Sequence, residues 1–155
     1  MDLPDNQDEL FEKAQVRAIK FLSFRPRSQK EITDFLIRKG FPKEIISKNI
    51  EFLNEQKFIN DLDFAKWWIT QRQEFKAKSK SIIMRELLIK GVSKEVIKEA
   101  LKDSLDDFGV AYALFEKQKH KFKNYKGREY YKKTTSYLQR KGFNWEIIEK
   151  ILKKV

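Results

Sequence analysis

Apolar side chains return every three or four residues along this chain, and glycine and proline number only five and three. That spacing is the helical period, so the chain is predicted to be all-α. Leu10, Ala14, Val16, Ile19, Phe21 and Phe24 mark a first helix. Arg25-Pro26-Arg27 ends it, because proline disfavours a helical residue before it. Ser28-Gln29-Lys30-Glu31 reads as a capping box that opens a second helix, with Ile32, Phe35 and Leu36 inward. Gly40 suits a left-handed stop. Pro42 suits the first turn of a third helix, whose buried face takes Ile45, Ile46, Ile50, Leu53 and Phe58.

The same order then recurs. Gly40, Gly91 and Gly142 lie 51 residues apart, each after a lysine. Each is followed by one pattern: Glu44-Ile45-Ile46, Glu95-Val96-Ile97, Glu146-Ile147-Ile148. The three glutamates fall in first helical turns, where a carboxylate favours the positive end of the helix dipole. In the second repeat Asn60 or Asp61 caps a helix carrying Phe64, Ala65, Trp68, Ile69 and Phe75. Ser79 or Ser81 opens the next, with Ile82, Ile83, Leu87 and Leu88 inside. Ser93 caps the third, over Val96, Ile97 and Leu101. The third repeat reads as a helix over about 106–125 and another over about 129–141. Asn144 caps the last helix, over Ile147, Ile148, Ile151 and Leu152. The expected organisation is an acidic, loose leader (1–8) and three-helix repeats over 9–59, 60–103 and 104–155. Neighbouring residues on a helix diverge by about 100°. Trp68 therefore shares a core face with Phe64, and Trp67 is expected between repeats.

A repeat array exposes a long surface and rarely houses a catalytic pocket, so charge matters more than clefts. Lysine and arginine number 34 against 23 acids, a net +11, which points to a polyanionic partner. Residues 1–25 hold four basic and five acidic groups, but 77–127 hold twelve and seven, and 128–155 eight and three. The densest run is Lys117, Lys119, Lys121, Lys123, Lys126, Arg128, Lys132 and Lys133, interleaved with Phe122, Tyr125, Tyr130 and Tyr131. Lysines neutralise phosphates and aromatic faces stack on unpaired bases. Phe122 and Tyr137 read as core instead. A second cluster is Arg72, Lys76, Lys78, Lys80 and Arg85, and a third is Arg25, Arg27 and Lys30. The junction between the first and second helices is thus basic in all three repeats, a candidate stripe for nucleic acid or an acidic protein face. No recognition helix for base-specific reading is identifiable.

Signals for chemistry are few. The chain has no cysteine, which excludes disulfides and thiolate metal sites, and its one histidine, His120, sits inside the lysine run. Asp61 with Asp63, and Asp103 with Asp106 and Asp107, could hold a metal for phosphodiester cleavage. Helix capping and a polar linker account for them better. The expectation is a non-enzyme with no cofactor and no metal. The start of the chain is acidic rather than a signal peptide, and no apolar run is long enough to span a membrane. A cytoplasmic monomer is expected.

Asn60-Asp61-Leu62-Asp63-Phe64-Ala65, then Arg72, then Ile83-Met84-Arg85-Glu86-Leu87-Leu88-Ile89-Lys90-Gly91-Val92-Ser93, resembles the central signature of the bacterial RecX regulators. Ser28 to Gly40 resembles that family's first repeat, and Ser136 to Phe143 its last. The resemblance covers about residues 14–153. One departure stands out: where the family often has a glycine-rich basic loop, this chain has Lys76-Ala77-Lys78-Ser79-Lys80. The resemblance implies three tandem three-helix repeats in an elongated, curved array. It also implies a non-enzymatic modulator that binds the RecA recombinase and its filament on single-stranded DNA. Such a protein suppresses ATPase, strand exchange and co-protease activities, by lying in the filament groove or blocking extension. Double-stranded DNA is a second possible target. A generic basic helical-repeat DNA-binding protein with no RecA partner is the alternative.

Overall fold

The computed structural model describes residues 6–154. Among them are nine α-helices and no strand. The first repeat holds α1 (Asn6–Phe24), α2 (Gln29–Arg38) and α3 (Lys43–Glu55). The second holds α4 (Asp61–Lys76), α5 (Lys80–Ile89) and α6 (Lys94–Leu101). The third holds α7 (Asp107–Gln118), a 3-10 turn (Lys119–Phe122), α8 (Gly127–Arg140) and α9 (Trp145–Lys153). The protein is all-α and built of three-helix repeats. Its described part forms two compact bodies whose division passes through α4, α5 and the end of α6. One body runs to Trp67 and includes Leu87–Ala100; the other comprises Trp68–Glu86 and Leu101 onward.

The helix stops explain the 51-residue period. After α2, the Gly40 N–H donates to Ile37 O (2.9 Å) and the Phe41 N–H to Leu36 O (3.2 Å). After α5 the same pair runs Gly91 to Leu88 O and Val92 to Leu87 O; after α8, Gly142 to Gln139 O and Phe143 to Leu138 O. Each is a Schellman motif, which needs its turning residue at positive φ and buries the next apolar side chain on the helix it closes. Val92 and Phe143 are buried accordingly. Helix starts follow the polar signals. Ser28 makes a full capping box with Glu31. Asn60 Oδ1 accepts from the Leu62 and Asp63 N–H groups, so Asn60 rather than Asp61 caps α4. Ser79, not Ser81, caps α5, and Ser93 and Asn144 cap α6 and α9.

In the first body α1 packs on α2 and α3 around Ala14, Ala18, Ile32, Leu36, Ile45, Ile46, Leu53 and Ile59. Phe21 stacks on Phe35 with ring centres 4.1 Å apart. In the second body α7 and α8 pack on α9 around Val110, Ala111, Phe115, Leu138, Phe143, Ile148 and Ile151.

Several expectations need correction. Asn6, Gln7 and Asp8 already belong to α1, where Asp8 and Glu9 favour the positive helix start. The expected leader otherwise falls on residues 1–5, outside the described residues. Pro42 is the extended cap before α3 (φ −63°, ψ 151°), not a residue of its first turn. Phe58 is half exposed, because α3 stops at Glu55 and Lys57 turns the chain at φ +60°; Ile59 enters the core instead. Phe75 is 70% exposed. The buried Gln73 is the inward residue near the end of α4, exchanging two hydrogen bonds with the Leu105 backbone, and Phe75 lies about 200° further round. Leu88 is exposed because Leu87 fills the core beside it. The helix expected to reach residue 125 ends at Gln118. Lys117 with Lys121, and Lys119 with Lys123, are like charges one helical turn apart, and the 3-10 turn that replaces the helix buries Phe122.

Lys57 occupies a place where the other stops use glycine. Lys57→Gly removes the left-handed penalty of a side chain that is itself exposed. It is expected to stabilise the protein by about 1 kcal/mol, read as a higher urea midpoint with unchanged slope. An equal or lower midpoint would show that the turn carries no strain.

Candidate nucleic-acid interface

Two repeat junctions are built alike. In each, the link between a repeat's first and second helices meets the Lys-Gly stop of the following repeat. At the first junction Ser28 Oγ donates to Lys90 O (2.7 Å), and its own N–H donates to the Glu31 carboxylate (3.1 Å). At the second, the Ser79 N–H donates to Lys141 O (3.1 Å). The swap has a cause in the sequence: in the 51-residue register, Ile82 stands where Glu31 stands. With no carboxylate to receive it, the serine N–H turns to the lysine carbonyl. The next N–H is treated alike at both places: Gln29 donates to Asp61 Oδ1 and Lys80 to Asp107 Oδ1.

The electrostatics of the two therefore differ. Glu31 takes a forked pair of bonds from Arg25 (2.5 and 3.3 Å) and one from Lys90 Nζ (3.3 Å). Burial alone would raise the Glu31 carboxyl. The Arg25 and Ser28 hydrogen bonds, with the charges of Arg25 and Lys90, nevertheless hold it below the usual carboxylate range. Arg25 also lies 5.7 Å from the Trp67 ring centre, so Trp67 of the second repeat packs on the first. Arg27 covers the Phe21 ring at 3.7 Å, and Lys30 pairs with Asp34. The cations of the first junction are thus engaged within the protein.

At the second junction Lys141 Nζ reaches only a neutral group, Lys76 O (3.2 Å). Its ammonium is pushed below the usual lysine range by burial first, then by the charges of Lys78, Lys76 and Lys121. Among the described residues, no ion pair joins Lys76, Lys78, Lys121 or Lys141 to a carboxylate; Asp107 is the nearest acid in the junction's own hydrogen bonding. Ala77 turns this link at φ +50°, a left-handed residue without glycine. Arg72 is not part of the open cluster: it pairs with Glu86 (2.6 Å) and lies 4.5 Å from the Trp68 ring centre. Arg85 is exposed on α5.

The lysine-rich run of the third repeat is mostly exposed. Lys119 pairs with Glu116 (2.8 Å), and Lys133 lies 5.4 Å from the Tyr125 ring centre. Lys126 precedes α8 as its cap, and Lys117, Lys121, Lys123, Arg128 and Lys132 point to solvent. Phe122 is buried against Tyr137, ring centres 5.7 Å apart. Three of the five aspartates considered for metal chemistry serve backbone groups: Asp61 binds the Gln29 N–H, Asp106 caps α7 through the Gly109 N–H (2.7 Å), and Asp107 binds the Lys80 N–H. No cluster of three or more metal-ligating side chains occurs among the described residues. Nor, among them, is any helix long and apolar enough to cross a membrane.

The chain matches three family models in order: RecX, first three-helix domain, over residues 14–53; RecX, second three-helix domain, over 60–101; and RecX, third three-helix domain, over 106–152. The chain belongs to the RecX family. Regulatory protein RecX of Bacillus pumilus (strain SAFR-032) is 37% identical over 140 residues, covering 89% of this chain and 53% of that protein. Regulatory protein RecX of Bacillus subtilis (strain 168) is 33% identical over 141 residues, covering 90% and 53%. The chain spans about half the length of the curated relatives it matches. The crystal structure of RecX from Lactobacillus salivarius superimposes with a TM-score of 0.81 at 25% identity, covering 95% of this chain and 97% of that one. These relatives are named regulatory proteins.

Two residues of this RecX chain escaped the reading of basic clusters: Lys90 and Lys141. Both stand before stop glycines and read as part of the turn. The signal was present in the repeat register, which sets each lysine against the preceding junction, and in the exchange of Glu31 for Ile82.

Proposed function

We propose that this chain regulates a RecA-type recombinase, engaging its filament on single-stranded DNA and lowering its ATPase, strand exchange and co-protease activities. The observation that carries this reading is the ordered match to all three RecX domains; the uncompensated lysines of the second and third repeats support it. Lysine-rich surface favours phosphates or acidic protein, and a repeat array can touch neighbouring protomers at once. Lying along the filament groove, it would oppose the cycling of protomers; bound at an end, it would block extension.

The deciding experiment is the steady-state ATPase of the cognate RecA on excess single-stranded DNA, titrated with this protein. Excess DNA removes simple competition for strand. Loss of ATPase at substoichiometric protein is expected, and the effect should weaken as salt rises. Unchanged ATPase alongside intact affinity for bare DNA would replace this reading with that of a generic DNA-binding repeat protein.

A further inference from the structure

The two junctions share a backbone design and differ in charge. The first is neutralised from within by Glu31. The second carries Lys76, Lys78 and Lys141 together, with Lys141 bonded to a carbonyl and no acid in the place of Glu31. Like charges repel, and an anion placed among these lysines would relieve that repulsion. Beside them lies a cavity of about 340 Å³, bounded by Phe75, Lys76, Leu114, Lys117, Tyr137 and Lys141. That volume falls within the range of small-ligand pockets, about 300–1,000 Å³. Phe75 lines it while leaving most of its ring in solvent, as does Phe24, its counterpart 51 residues earlier at the end of α1. Glu74 also lines the cavity and is its one acid.

We propose that the second repeat junction is a site for single-stranded nucleic acid, with phosphates on Lys76, Lys78 and Lys141 and an unpaired base in the adjoining cavity against Phe75. This deepens the regulatory reading above and rests on it only for the choice of DNA. Three features select this occupant. The cations are lysines, which hold phosphates as point charges without the forked geometry that reads base edges, so binding should be tolerant of sequence. An exposed aromatic ring offers a stacking face that any base can use. A base can enter a side cavity only when it is unpaired, which selects a single strand over a duplex. An acidic peptide would use the lysines and leave Phe75 idle. The first junction, with its cations already paired, should contribute nothing.

The test uses the full chain without RecA, so that its outcome is independent of the ATPase experiment. Binding of a fluorescent oligothymidylate is followed by anisotropy over a range of salt. The triple variant K76Q/K78Q/K141Q should weaken binding about tenfold or more and flatten the logarithmic salt slope by about 2, as expected for three lost phosphate contacts. A control with the same change in net charge, K48Q/K94Q/K98Q on exposed positions of the other body, should weaken binding less than about twofold. Equal losses in the two triples would overturn the site and leave only general attraction. Phe75→Ala, an exposed position that folding tolerates, should lower single-strand affinity about tenfold, leave the salt slope alone and leave duplex affinity unchanged. Unchanged single-strand affinity in that variant would overturn the base cavity. Displacement of the labelled strand by polyglutamate as readily as by unlabelled oligothymidylate would overturn the choice of nucleic acid in favour of an acidic protein.

Discussion

Glu31→Ala is expected to lower stability at pH 7 by about 2–3 kcal/mol, the loss of a capping box and of charge-assisted bonds from Arg25 and Lys90. The cost is larger than for an exposed ion pair because removal leaves two cations facing each other in a half-buried place. The dependence on pH has a definite sign. The folded Glu31 carboxyl lies below its ordinary value, so its contribution is complete above the unfolded pKa and is lost as pH falls through the folded one. The gap in urea midpoint between the protein and Glu31→Gln should therefore be constant from pH 5 to pH 8 and close below about pH 4. A gap that persists undiminished at pH 3 would show that Glu31 acts by packing rather than by charge. Glu116→Ala is the control: Glu116 also pairs with a lysine, but in open solvent, and its removal should not change the midpoint measurably.

The stop glycines should rank in a definite order when each is replaced by alanine. Gly40 (φ +86°) has open space around it, so alanine there meets only the left-handed penalty, about 1–2 kcal/mol. At Gly91 (φ +81°) a Cβ would come within 2.6 Å of Lys30 Cβ, an atom held in place by the α2 backbone, so the cost should exceed that at Gly40 by an overpacking term. At Gly142 (φ +94°) it would overlap Ser79 Oγ and Ile82 Cδ1. Ser79 is buried and caps α5 through the Ile82 N–H, so its hydroxyl cannot yield without disturbing the helix start. Gly142→Ala should cost about 3–5 kcal/mol, the penalty plus overpacking. Thermal midpoints should fall in the order Gly40→Ala, Gly91→Ala, Gly142→Ala. Equal falls would mean that the glycines serve only backbone conformation and that close approach at the second junction adds nothing.

The local reading of the chain succeeded where the cause is local. Capping boxes, Schellman glycines and apolar spacing act over three to six residues, so Ser28, Gly40, Ser93 and Asn144 could be placed from their neighbours in sequence. It failed where a side chain is chosen from further away. Phe58, Phe75 and Leu88 fit the helical period yet face solvent, because Ile59, Gln73 and Leu87 fill the inward places. The α7 helix stops early because charges one turn apart repel while Phe122 finds a core partner in Tyr137. Asp61 reads as a helix cap and in fact serves the Gln29 backbone 32 residues away.

For the candidate site, the division is sharper. Composition and the 51-residue register alone established an all-helical, three-fold repeated, strongly basic chain, because each depends on residue type and spacing. Which basic residues remain available to a partner depended on separations in space between groups that lie from six to 65 residues apart in sequence. Arg25, Arg27 and Arg72 look like members of a stripe, and folding commits them to Glu31, Phe21 and Glu86. Lys141 looks like part of a turn, and folding sets it among Lys76, Lys78 and Lys121. A charge is available only when no opposite charge lies within a few ångströms, and that separation is fixed by packing rather than by order along the chain.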